Sequence, residues 1–90
     1  MTSPALIASE RLTRALVDTA SRGLRAHCSD PTTSALWLSE DEPERAEAVR
    51  LCRGCPVIQP CRTAATANNE TFGVFGGKDF TRRPGKKKAA

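Results

Sequence analysis

Large apolar side chains are scarce in this sequence: it has no tyrosine, one tryptophan, three phenylalanines and one methionine. Its apolar content leans on alanine, which buries little surface. A chain of 90 residues supports one small domain, and domains of that size are often marginal without a disulfide, a metal or a partner. No run approaches the roughly 18–20 apolar residues that cross a membrane. The opening Met1-Thr2-Ser3-Pro4-Ala5-Leu6-Ile7 has no basic segment ahead of an apolar run, so no secretory signal is read there. The expected compartment is the cytoplasm, where thiols stay reduced and cysteine clusters more often bind metal than pair. Also missing are a phosphate loop, a Ser/His/Asp set and paired carboxylates in a cleft. The acids at 40–47 read as the solvated start of a helix. No enzyme chemistry is expected.

What the sequence does have is four cysteines, spaced Cys28-x23-Cys52-x2-Cys55-x5-Cys61. Two intervening residues let a chain wrap half round a centre, so Cys52 and Cys55 can face one point. A helical turn can return Cys61 to it, and Cys28 must arrive from a distant segment. Four thiolates suit a zinc ion or an iron–sulfur cluster. Structural zinc sites commonly use two close pairs, and this chain has one. The spacing therefore favours iron–sulfur, with zinc and with disulfide or redox thiols left open. His27, beside Cys28, is a further candidate ligand.

The net charge of +4 is unevenly spread: residues 1–27 carry +2, residues 28–61 carry −3 and residues 62–90 carry +5. The excess sits in a tail with Arg82, Arg83, Lys86, Lys87 and Lys88. Such a segment gains affinity for nucleic acid by releasing counterions from phosphates, with little base readout. Its Pro, Gly, Lys and Ala are expected to be disordered when free. Arg83-Pro84-Gly85-Lys86 is loosely similar to an AT-hook, though in a different order.

Ser3-Pro4 reads as a helix cap and first helical residue. Leu12, Leu16, Ala20 and Leu24 continue the helix as an apolar stripe to about Ala26, with Gly23 loosening its last turn. Residues 29–39 read as a loop closed by Leu36-Trp37-Leu38. Ser39 with Glu42 fits a capping box for a second helix running to about Leu51, in which Ala46, Val49 and Arg50 are helical neighbours. A third helix starts between Pro56 and Pro60, runs to about Ala67 and is ended by Asn68-Asn69. Phe72-Gly73-Val74-Phe75-Gly76-Gly77 reads as a tight turn.

The cysteine run with Pro56-Val57 between Cys55 and Cys61, the segment Phe72–Gly77 and the basic tail occur in an order that resembles the WhiB-like (Wbl) family of actinobacteria and their phages. The resemblance implies an all-α fold, a bundle of three to four short helices around a [4Fe–4S] cluster, with a glycine-rich turn and a disordered basic tail. The domain would span residues 1–81 and the tail 82–90. Cys28, Cys52, Cys55 and Cys61 would be the ligands. The resemblance further implies a transcription factor docking one to one on the C-terminal domain of the primary sigma factor of RNA polymerase. It would contact promoter DNA through the tail and respond to redox state or nitric oxide. Gly73, Val74, Phe75, Gly76 and Gly77 would form the sigma-facing turn. There this chain has Phe75 where the family usually has Trp, keeping a flat apolar anchor without the indole N–H. Trp37 falls where relatives carry aromatic residues near the cluster and the sigma interface, so sigma contact or cluster shielding is expected of it, with plain core packing as the alternative.

Two other readings remain at this level. One is a thiol–disulfide oxidoreductase using Cys52-Arg53-Gly54-Cys55, with Arg53 lowering a thiol pKa. It lacks the βαβ context such enzymes need. Disulfide formation in cluster-free protein is expected as a side property. The other is a zinc-stabilised DNA-binding module without a sigma partner.

Overall fold

A computed structural model describes residues 3–81 of the chain. The basic residues Arg82, Arg83, Lys86, Lys87 and Lys88, and with them the expected tail 82–90, lie outside the described residues.

Helix α1 runs from Pro4 to Ser21, and the Ser3 hydroxyl accepts the Leu6 N–H at 3.1 Å, as the sequence predicts. It stops earlier than the apolar stripe suggests. Gly23 takes φ +78°, and the N–H groups of Gly23 and Leu24 return to the carbonyls of Ala20 and Thr19. This is a Schellman close, for which a left-handed glycine is the usual residue. Leu24 therefore lies off the helix and exposed, and Leu16 is exposed too. The face that packs is Ala5, Ala8, Leu12, Ala15 and Thr19, with Ala8 and Thr19 fully buried against helix α3 (Ile58–Ala67). Steps alternating between three and four follow the 3.6-residue period, whereas steps of four drift round the helix.

The segment 29–39, read as a loop, contains one of the two short 3-10 turns among the described residues, Ser34–Leu38, and the end of the other, His27–Ser29. Helix α2 spans Glu42–Leu51 with Asp41, not Ser39, at its cap. Ser39 instead accepts the Asp41 N–H at 2.9 Å and donates to Glu44. The packed face of α2 holds Arg45, Ala48 and Val49, while Ala46 and Arg50 face out. Helix α3 closes as expected at Asn68. Asn69 at φ +55° completes a second Schellman close, with the Glu70 N–H bonded to Ala65.

The fold is all-α in its main elements, with one addition. The glycine-rich turn is a β-hairpin, in which β1 (Val74–Phe75) pairs antiparallel with β2 (Lys78–Asp79). Its two loop residues, Gly76 and Gly77, have φ +57° and +79°, the signs that a type I′ hairpin turn demands at both positions. The core gathers Trp37, Ala48, Cys52 and Val74, so the second 3-10 turn, α2 and the hairpin meet at a cysteine. No helix among the described residues is long and apolar enough to cross a membrane.

Candidate metal centre

The solitary Cys28 reaches the other three because its neighbour is tied down. His27 Nδ1 lies 2.7 Å from the carbonyl oxygen of Leu51, the last residue of α2. A carbonyl can only accept, so Nδ1 carries the proton. His27 is thus a positioning contact for the cysteine turn. Cys52 follows directly as the C-cap of α2, with its N–H bonded to Ala48 at 3.0 Å. The Cys55 N–H donates to the Cys52 carbonyl at 2.9 Å, folding the C-x2-C turn. Cys61 sits in the first turn of α3, bonded through its N–H to Val57 at 2.9 Å.

All four cysteines line one cavity of about 510 Å³, walled by apolar groups that include Trp37, Val57, Val74 and Phe75. All four are free thiols. Among the described residues, no three His, Cys, Asp or Glu side chains converge tightly enough to hold a single metal ion. A zinc ion needs each sulfur at about 2.3 Å. Four soft sulfur donors around one cavity suit either a zinc ion or an iron–sulfur cluster.

The electrostatics suit a bound cationic centre. Burial pushes the Cys61 thiol up to about 11, the other three cysteines add to the rise, and a hydrogen bond from the Gly76 backbone N–H partly offsets it. Cys28 is also raised, first by burial, then by Cys55 and Cys52. Thiolates crowded here repel one another, and those at Cys52 and Cys61 are partly or wholly shielded from water. A bound cationic centre would relieve both penalties.

The hairpin forms one wall, and each residue of the expected sigma-facing turn has a place in it. The Gly73 carbonyl accepts the Phe80 N–H and its own N–H donates to Thr81 Oγ1, both at 2.8 Å. Val74 is buried, at 1% exposure. Phe75 is half-buried and meets Phe80 edge to face, with ring centroids 5.9 Å apart. Gly76 lies flush on α3, since a Cβ there would collide with the backbone of Arg62. The Arg62 Nε–H donates to the Gly76 carbonyl at 2.9 Å. Gly77 faces Ile58, Arg62 and Cys52.

Trp37 is 5% exposed, and its indole N–H donates to Cys52 Sγ at 3.3 Å. The apolar surface presented beside it belongs to Leu38, at 60% exposure.

Sequence reasoning missed a buried ion pair. The Arg45 guanidinium donates from Nε to Asp79 at 3.0 and 3.2 Å and from Nη1 to the Ser39 carbonyl at 2.9 Å. It also lies over the Phe72 ring, 5.8 Å from its centroid. Arg45 anchors β2 to α2. Burial acts to raise the Asp79 carboxyl, but hydrogen bonds from Thr81 and Arg45 outweigh it and hold the group below its ordinary 3.8. The sequence signal was the spacing of Arg45 with Ala48 and Cys52 on one helix face, which puts an arginine where an apolar residue is expected.

A family model described as Transcription factor WhiB matches residues 23–84, more than half the chain. The chain belongs to the WhiB family of transcription factors. Its similarity reaches individual regulators: it is 35% identical over 86 residues to the transcriptional regulator WhiB of Streptomyces coelicolor, covering 91% of this chain and 98% of that one. It is 35% identical over 66 residues to the redox-responsive transcriptional regulator WhiB3 of Mycolicibacterium smegmatis, covering 67% of this chain and 69% of the relative. It is 39% identical over 56 residues to the transcriptional regulator WhiB7 of the same organism, covering 62% of this chain and about half, 52%, of the relative. No solved structure matches at comparable stringency. WhiB relatives are named as regulators of transcription, which sets the oxidoreductase reading aside.

Proposed function

We propose that this WhiB-family regulator holds a [4Fe–4S] cluster through Cys28, Cys52, Cys55 and Cys61 and that the cluster organises a surface for the transcription machinery. The observation that carries the reading is the cavity of about 510 Å³ lined by four free thiols and walled by the glycine hairpin. The cluster would supply the positive charge that the thiolates lack and a centre that oxidants or nitric oxide can alter. This chain's own residues do the rest. His27 holds Cys28 in place, Arg62 and the Gly76 N–H join the hairpin to Cys61, and Arg45 fixes β2 on α2.

The docking partner in this reading is the C-terminal domain of the primary sigma factor, bound one to one by a cytoplasmic monomer. The turn segment 73–77 of the hairpin forms the contact, with exposed Leu38 and Phe72 beside it. What supports this is an apolar rim on a hairpin bonded to a candidate ligand. Trp37, buried in the core, serves the cluster side of its expected role. Arg82, Arg83, Lys86, Lys87 and Lys88 would meet promoter phosphates. Tethering by sigma makes even weak contacts count through a high effective concentration.

Co-purification with the sigma domain under anaerobic conditions tests the reading. Wild-type protein is expected to co-elute with the domain, and Phe75→Ala to weaken the complex. Unaltered binding by Phe75→Ala removes the turn from the interface.

A further inference from the structure

Trp37 is the chain's one tryptophan, and its indole N–H meets Cys52 Sγ at 3.3 Å. Cys52 is the buried member of the four cysteines, while Cys28 is exposed and Cys55 and Cys61 are intermediate. The indole ring is fixed in the core beside Ala48 and Val74. An indole nitrogen only donates, and no buried side-chain nitrogen or oxygen among the described residues is left without a partner. The sulfur is therefore the donor's structural destination.

A thiol accepts a hydrogen bond weakly, whereas a thiolate is charged and accepts strongly. The contact thus gains strength when Cys52 ligates a metal. Adding one electron to a cluster increases the negative charge spread over its ligating sulfurs, with no bond made or broken. A donor aimed at one of those sulfurs stabilises the reduced form more than the oxidised form. Hydrogen bonds to ligand sulfurs are among the factors that set cluster potentials.

We propose that Trp37 is a positioning residue for the cluster, whose indole N–H on Cys52 Sγ raises the cluster's reduction potential. The inference rests on the cluster reading above. It assigns to Trp37 a function that a phenylalanine of similar shape in the same place cannot perform.

The test is a redox titration of the full chain, purified anaerobically, with dithionite as electron donor and the visible spectrum as readout. Trp37→Phe keeps an aromatic ring and removes the N–H, and its potential is expected to be more negative than that of the wild type. Global incorporation of 5-fluorotryptophan alters Trp37 alone and makes its N–H more acidic, and the potential is expected to move the opposite way. No shift in either protein, or shifts of the same sign in both, overturns the proposal. If Trp37→Phe fails to fold, the near-isosteric fluorotryptophan protein decides: a positive shift supports the proposal and none overturns it. Iron and sulfide are measured on the same samples. Wild-type protein without them overturns both this proposal and the cluster reading, whereas a loaded cluster with an unmoved potential overturns this proposal alone.

Discussion

His27 Nδ1 and the Leu51 carbonyl oxygen stand 2.7 Å apart, across 24 residues of sequence. This hydrogen bond joins the turn that carries Cys28 to the helix end that precedes Cys52. It gives the remote cysteine a fixed address.

His27→Ala should therefore loosen Cys28 without touching the other three ligands. A neutral hydrogen bond of this kind contributes about 1 kcal/mol, which corresponds to cluster loss about fivefold faster. His27→Asn, which can place an amide N–H near the same position, should recover part of the effect. The decay of the visible absorption under a chelator checks both.

The Arg45–Asp79 pair makes a prediction about stability. Arg45 is buried, with a side chain 4% exposed, while Asp79 is 29% exposed. Asp79→Asn leaves a buried guanidinium without its counter-charge and should cost about 3 kcal/mol, the lower end for breaking such pairs. Urea unfolding under anaerobic conditions measures it.

The same pair sets a pH dependence. The folded Asp79 pKa is depressed below its ordinary 3.8. The unfolded chain therefore binds the proton more tightly, and stability falls as pH drops. The contribution is present in full above the unfolded pKa, near 4, and is lost as pH falls through the folded value. Acid titrations of wild-type and Asp79→Asn protein, followed by circular dichroism, should differ in slope below pH 4, with the variant flatter.

The two turn glycines should not tolerate alanine equally. At Gly76 a Cβ meets the backbone of Arg62 on α3, which cannot move without distorting the helix. At Gly77 the nearest atoms are side-chain ends, Ile58 Cδ1 at 3.2 Å and Arg62 Nη2 at 3.3 Å. Both substitutions carry the left-handed strain of about 1–2 kcal/mol. Gly76→Ala adds the collision and should be clearly the more destabilising, as the urea midpoints of the two variants would show.

What the sequence revealed and what it concealed divide by range. Ser3-Pro4, the prolines at 56 and 60 and Asn68 mark helix ends through local chemistry, and the helices begin or end where those residues place them. The cysteine spacing was also local for Cys52, Cys55 and Cys61, and the shared cavity follows it. The end of α1 is hidden in the sequence because Leu24 continues an apolar stripe that Gly23 cuts. The hairpin shows in the sequence only as a tight turn because two-residue strands are too short to show alternation. Arg45–Asp79 and His27–Leu51 join residues far apart in the chain, and no periodicity reports a contact of that kind.

The central claim is that four cysteines hold one [4Fe–4S] cluster. The most direct measurement is the iron, zinc and acid-labile sulfide content of the full chain purified without oxygen. The account predicts a brown protein with about four irons and four sulfides per chain. A colourless protein carrying one zinc and no sulfide would contradict it.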